Sequence, residues 1–157
     1  MNHLGILYQY GRGVAVDYAK ARYYYEQAAA KGDVDALNSL GLLYHSGYGV
    51  PKNYAKAREY YKQAAAKGHT RALYNLAILY HNGYGVAKDY AKAWEYYMQL
   101  AAKGHASALY NLGVLYENGQ GVKQDYAKAL EYYQKAADAG DKDAPAQVER
   151  LRKKLNH

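Results

Sequence analysis

The chain has no cysteine, no phenylalanine, one tryptophan and two prolines among its 157 residues. Without cysteine there is no disulfide, no thiolate nucleophile and no thiolate zinc site. With proline confined to Pro51 and Pro145, long segments are free to be helical. No apolar run approaches the roughly 20 residues a membrane span needs. Met1 opens onto Asn-His-Leu-Gly-Ile-Leu-Tyr, with neither a basic start nor a cleavage site, so no export signal is visible. The expected compartment is the cytoplasm, or the periplasm or exterior if a leader has been trimmed from the start. Tyrosine is what abounds: 22 residues keep the mean hydropathy at −0.60 although half of the chain is hydrophobic. A chain this apolar is not intrinsically disordered, and its length suits one domain.

An internal repeat decides the architecture. Gly-x-Gly-Val stands at Gly11–Val14, Gly47–Val50, Gly83–Val86 and Gly119–Val122, each 36 residues after the last. Leu4/Leu40/Leu76/Leu112, Tyr8/Tyr44/Tyr80/Tyr116 and Ala21/Ala57/Ala93/Ala129 keep the same step. Within a unit, Ala72, Leu73, Leu76, Ala77, Leu79 and Tyr80 recur at helical spacing, and Asn82-Gly83-Tyr84-Gly85 breaks that helix. Asp89 is expected to cap a second helix running through Tyr90, Ala93, Trp94, Tyr97 and Ala101 and stopping near Gly104. Asp17, Asn53 and Asp125 share its column. Lys31, Lys67 and Lys103 precede the stop glycines, where a cation suits the helix dipole.

No single unit can bury both helices' apolar faces, so stability must come from stacking neighbours. Sixteen of the tyrosines fall in four repeat-invariant columns, numbered 8, 18, 24 and 25 in the first repeat, and read as packing. The segment from Ala144 to Leu155 continues the first-helix register, but Glu149 and Arg152 replace a small residue and a Tyr, so it reads as a polar-faced cap. Three residues precede Leu4 where later repeats have seven, so the first helix is expected to lack a cap and to offer apolar surface to another copy.

The pattern Ala-x-x-x-Leu-Gly-x-Leu-Tyr, Gly-x-Gly-Val, Asp-Tyr-x-Lys-Ala-x-x-Tyr-Tyr-x-x-Ala-Ala-x-x-Gly, carried with Asn53 for Asp from Ala36 to Gly68, closely resembles the Sel1-like repeat family, relatives of the tetratricopeptide repeats. The resemblance covers essentially the whole chain. It implies an all-α, right-handed solenoid of four helix-turn-helix repeats plus a C-terminal capping helix, forming one domain over residues 1–157. The repeats would be 1–32, 33–68, 69–104 and 105–140, with the cap at 141–157. It also implies an adaptor that gathers proteins into complexes.

By analogy with the tetratricopeptide fold, the first helix of each pair lines the concave face. Its outward columns vary between repeats: Asp35/Arg71/Ser107, Asn38/Tyr74/Tyr110, Ile6/Leu42/Ile78/Val114 and Gln9/His45/His81/Glu117. An aliphatic row flanked by Tyr, Asn and His is the composition of a peptide groove. The expected partner-binding residues are therefore Asn38, Leu42, His45, Arg71, Tyr74, Ile78, His81, Tyr110, Val114 and Glu117.

Other chemistries find no support. A metal needs three groups converging at about 2 Å, whereas His45, His81 and Glu117 stand on successive helices roughly 8–10 Å apart. No Gly-Lys-Ser/Thr follows the Gly-x-Gly loops, and they join two helices, so they cradle no phosphate. No catalytic triad or tuned carboxylate pair can be assembled, and no motif calls for a cofactor. His69 and His105 fall in the column of Asp33 and Asp141, where helix capping or solvent exposure is the simplest role. A formal charge of +7 raises the question of nucleic acid, but the Lys20/Lys56/Lys92/Lys128 column, the stop-glycine lysines and four cap cations read as solvated or structural. The chain thus reads as a non-enzymatic scaffold binding a protein or peptide. The alternatives are an idealised array without an evolved partner and a salt-sensitive binder of nucleic acid.

Overall fold

The computed structural model describes residues 2–156, and every regular element among them is an α-helix. They are α1 (Asn2–Tyr10), α2 (Tyr18–Ala30), α3 (Val34–Ser46), α4 (Tyr54–Ala66), α5 (Thr70–Asn82), α6 (Tyr90–Ala101), α7 (Ala106–Asn118), α8 (Tyr126–Asp138) and α9 (Ala144–Leu155). Two compact units divide the chain. The first runs to Leu79 and takes in Tyr84–Val86; the second comprises Tyr80–Gly83 and the residues from Ala87 onward.

Each helix after α1 begins where a side chain can accept an unpaired amide of the first turn. Asp17, Asn53, Asp89 and Asp125 accept the N–H of Lys20, Lys56, Lys92 and Lys128 at 2.9–3.0 Å. Asp33 and Asp141 do the same for Ala36 and Ala144 at 3.1 and 3.0 Å. His69 and His105 take that place in their column, Nδ1 accepting from Ala72 and Ala108 at 3.1 and 3.2 Å. The capping reading of these two histidines holds.

The Gly-x-Gly turn has two different jobs. Gly47 closes α3 with φ +73°, its N–H bonded to Leu43 O at 2.8 Å, a left-handed cap that L side chains resist. Gly49 is needed for space as well: a Cβ there would lie 2.4 Å from Tyr18 Cβ in the preceding repeat, and Gly85 meets Tyr54 in the same way. The glycines therefore let one repeat's turn close on the start of the previous repeat's second helix.

Within the first unit the core gathers Ala21, Tyr25, Ala28, Ala36, Leu40 and Leu43. In the second it is built from residues such as Tyr97, Leu100, Leu112, Leu115 and Tyr133. Tyr25, Tyr61, Tyr97 and Tyr133 are fully buried, each ring removing some ~150–250 Å² from water, at most about 4–6 kcal/mol of driving force. A Cβ on Gly41 would sit 2.5 Å from the Tyr61 ring, and Gly5 and Gly113 face Tyr25 and Tyr133 similarly, which explains the small residue opposite each tyrosine. Leu4 is 38% exposed while Leu40, its counterpart in α3, is 1% exposed among α2 side chains. In the second unit, α9 buries Ala144, Val148 and Leu151 and turns its basic residues outward, as a cap requires.

Candidate interaction surface

The variable stripe is in part surface that stays at least partly exposed and in part hydrogen-bonded to other side chains of the fold. The aliphatic column is half-buried throughout: Ile6, Leu42 and Ile78 in the first unit, Val114 in the second. Tyr74 and Tyr110 are half-buried too, the Tyr110 ring lying 5.2 Å from that of Tyr133. Arg71 is exposed and makes no hydrogen bond or ion pair with any described residue.

Four expected binding residues are taken up internally. Asn38 is only 6% exposed, and its Oδ1 accepts from Asn75 Nδ2 at 3.1 Å. His45 Nδ1 lies 3.4 Å from the Tyr61 hydroxyl, and His81 Nδ1 lies 2.9 Å from that of Tyr97. Glu117 accepts from the Tyr133 hydroxyl at 2.9 Å and from Arg150 Nη2 at 2.7 Å. Gln9 accepts from Tyr25 in the first repeat. This column varies because Gln, His and Glu can all accept a hydrogen bond from the buried tyrosine of their own repeat. Its variation marks a shared internal partner, and the tyrosines opposite were the signal for it.

Burial shapes the electrostatics of these locks. It pushes the Tyr25 phenol up to about 12 and raises Tyr61 and Tyr133 further. It lowers His45 and His81, with Lys52 and Lys88 adding to the effect. The Arg150 hydrogen bond holds Glu117 below the usual carboxylate range, against the opposing pull of burial and with help from Tyr133.

The remaining tyrosine columns form stacks the sequence did not disclose. Tyr8 stacks on Tyr24 at 5.6 Å, Tyr44 on Tyr60 at 5.8 Å and Tyr116 on Tyr132 at 5.4 Å. Lys20, Lys56, Lys92 and Lys128 hold their ammonium groups 5.0–5.5 Å over the rings of Tyr8, Tyr44, Tyr80 and Tyr116. This basic column therefore serves the repeat itself through cation–π contact. In the first unit Tyr48 stacks on Tyr18 at 5.0 Å and Tyr84 on Tyr54 at 5.1 Å, so the turn residue of one repeat clasps the preceding one.

Two cavities bear on binding. In the first unit one of about 380 Å³ is lined by Asn2, Ile6, Asp35, Asn38, Ser39, His69 and Arg71. Four of these, Ile6, Asp35, Asn38 and Arg71, belong to the variable stripe. In the second unit one of about 520 Å³ lies between α8 and α9, lined by residues including Ala137, Pro145, Val148 and Arg152. The sequence reading assigned α9 no such groove. Among the described residues no group of three ligating side chains gathers, and no helix is long and apolar enough to cross a membrane.

Tandem helix pairs, alternate caps and turn glycines that admit a neighbouring repeat define an all-α repeat protein of the solenoid class. The Sel1 repeat pattern matches residues 1–33, 34–69, 70–105 and 106–141, and the chain belongs to that family. The solved structure of c5321, a protective antigen of uropathogenic Escherichia coli with an SLR fold, is 37% identical, with a TM-score of 0.90 over 96% of this chain and 32% of its own. A Sel1 repeat protein from Oxalobacter formigenes is 34% identical, with a TM-score of 0.89 over 95% of this chain and 61% of its own. Helicobacter pylori cysteine rich protein B is 27% identical, with a TM-score of 0.63 over 83% of this chain and 94% of its own. This chain thus spans about a third of the first relative and three-fifths of the second. No curated protein matches the sequence. Proteins built from Sel1 repeats generally mediate protein–protein interaction and are generally not enzymes.

Proposed function

We propose that this chain is a non-enzymatic interaction module that seats a peptide or helix of a partner protein on its first-helix stripe. The observation that carries the reading is in the first unit. Its half-buried aliphatic and aromatic side chains, Leu42, Tyr74 and Ile78, share a helical stripe with the cavity-lining residues Ile6 and Arg71. Apolar anchors beside a few polar groups are what a peptide site requires. In the second unit the stripe offers Tyr110 and Val114, taken by itself. Asn38, His45, His81 and Glu117 serve as the supports of that surface through their internal bonds.

The test is affinity capture at physiological salt with the chain, Tyr74→Ala, Tyr110→Ala and the surface control Lys62→Ala, all matched for helicity. A defined protein held by the parent and the control, and lost by Tyr74→Ala, supports the reading for the first unit. Loss with Tyr110→Ala does so for the second. If all four hold the same material and salt removes it, the stripe is not the binding surface and charge is.

A further inference from the structure

We propose that the cavity of the first unit receives an acidic side chain of the partner, with Arg71 as its counter-charge. This rests on reading the stripe as the interaction surface and names the partner's chemistry there. The cavity, about 380 Å³, is at the small end of ligand pockets and has room for one or two side chains.

Its wall is polar in a specific way. Of the other guanidiniums of the first unit, Arg12 stands over Tyr10, Arg22 pairs with Glu26, and Arg58, whose Nε is buried without a partner among the described residues, lies outside the cavity lining. Arg71 has no such partner among the described residues, so its donors face the opening unanswered. A guanidinium presents a planar fork that matches a carboxylate with two parallel bonds.

The same wall carries one carboxylate, Asp35, and its chemistry is fixed. His69 Nδ1 accepts the Ala72 amide at 3.1 Å, so the ring proton sits on Nε2. That proton is donated to Asp35 Oδ1 at 2.8 Å. One Asp35 oxygen is thereby engaged and the other is left to accept a backbone N–H of the partner. Ile6 supplies apolar contact for the stem of the incoming side chain.

Charge on the larger scale agrees. The first unit holds ten Lys and Arg against five Asp and Glu, whereas the second holds eleven against nine. In the second unit the position equivalent to Arg71 is Ser107, and Arg150 is already bonded to Glu117. An acidic partner segment therefore finds its open counter-charge in the first unit.

The experiment is fluorescence anisotropy at about 0.15 M salt, where exposed charges beyond about 8 Å are screened. The probe is a labelled, C-terminally amidated peptide of alternating leucine and glutamate pairs, compared with the same peptide carrying glutamine for glutamate. The parent should bind the glutamate probe at least about tenfold more tightly. Arg71→Glu should abolish that preference, and Lys62→Glu, the same charge change elsewhere on the unit, should retain it. A preference that survives Arg71→Glu, or falls equally in Lys62→Glu, overturns the proposal, as does binding of neither probe. If both probes bind alike and Tyr74→Ala removes both, the acidic pocket is wrong while the interaction stripe stands.

Discussion

The two units use one 36-residue repeat and put one of its variable columns to the same task by different chemistry. In the first, Gln9 and His45 meet the hydroxyls of Tyr25 and Tyr61. In the second, His81 and Glu117 meet those of Tyr97 and Tyr133, and Glu117 is closed off further by Arg150 from the cap helix. The aliphatic column stays half-exposed in both, and an unpaired guanidinium, Arg71, lines a cavity in the first. Variation between repeats is therefore not in itself the signature of a ligand-reading position. A column varies freely wherever several side chains can meet one internal requirement, and a search for recognition must first subtract those columns.

The largest effects should come from the tyrosines that answer this column. Tyr61→Ala and Tyr133→Ala each remove a fully buried ring and should lower stability by about 3–5 kcal/mol, read as the shift in a urea unfolding curve. The phenylalanine variants separate the units. Tyr61→Phe gives up a 3.4 Å contact with His45 and should be nearly neutral. Tyr133→Phe strips a half-buried carboxylate of a 2.9 Å donor and should cost about 1–2 kcal/mol. Equal costs for the two would mean the hydroxyls play the same part in both units.

Next come the turn glycines. Gly13 and Gly49 share a left-handed backbone, φ +80° and +72°, but a Cβ on Gly13 meets nothing within 4 Å while one on Gly49 runs into Tyr18. Gly13→Ala should cost about 1 kcal/mol for the backbone conformation alone. Gly49→Ala should cost about 2–3 kcal/mol, because the collision is added. Similar losses on thermal unfolding would show that conformation, and not close approach, preserves the second glycine of the motif.

The cap gives a smaller effect. Arg150→Ala removes the bond to Glu117 at the surface and should cost about 1 kcal/mol after solvent screening. Amide exchange should quicken in α9 and α7 and stay unchanged in α3 and α4. Faster exchange in the first unit would mean that the ion pair supports more than the cap.

Much of this was legible beforehand because the repeat supplies its own comparison. Nearly invariant Asp columns and invariant Gly and Ala columns announced caps, turns and close helix contacts, and Asp17, Gly47 and Ala57 occupy those roles. His69 and His105 were legible as caps because aspartate fills their column elsewhere. The column of Gln9, His45, His81 and Glu117 was not, since its unity lies in an acceptor atom and not in a residue type. Seeing it requires knowing that the tyrosine 16 positions later points back at it, a cross-helix contact that periodicity along one helix does not contain. The ring stacks were hidden for the same reason: Tyr48 and Tyr84 vary to Gln120 in the last repeat, and their partners belong to the repeat before. Asn38 looked outward by helical register, and Asn75 of α5, the first helix of the next repeat, bonds to it.

The smallest effect tests the histidines themselves, one in each unit. Burial, reinforced by Lys52 and Lys88, holds both His45 and His81 below the ordinary value of 6.5 in the folded chain. The unfolded chain therefore binds the extra protons first. The stability these neutral rings support is complete above about pH 6.5 and declines as pH falls toward their folded values. Glu117 has the opposite chemistry but a lower window: its folded pKa is depressed, so its contribution is present above the ordinary 4.5 and lost only as pH falls below that. Between about pH 7.5 and 5 the two effects are separable. The double variant His45→Gln, His81→Gln keeps an acceptor for Tyr61 and Tyr97, the solution that Gln9 already provides for Tyr25. Its unfolding midpoint should fall less than the parent's over that interval. If parent and variant lose stability in parallel, protonation of these rings is not what the fold resists. The column would then be held by packing around the tyrosines and not by the neutrality of the groups they touch.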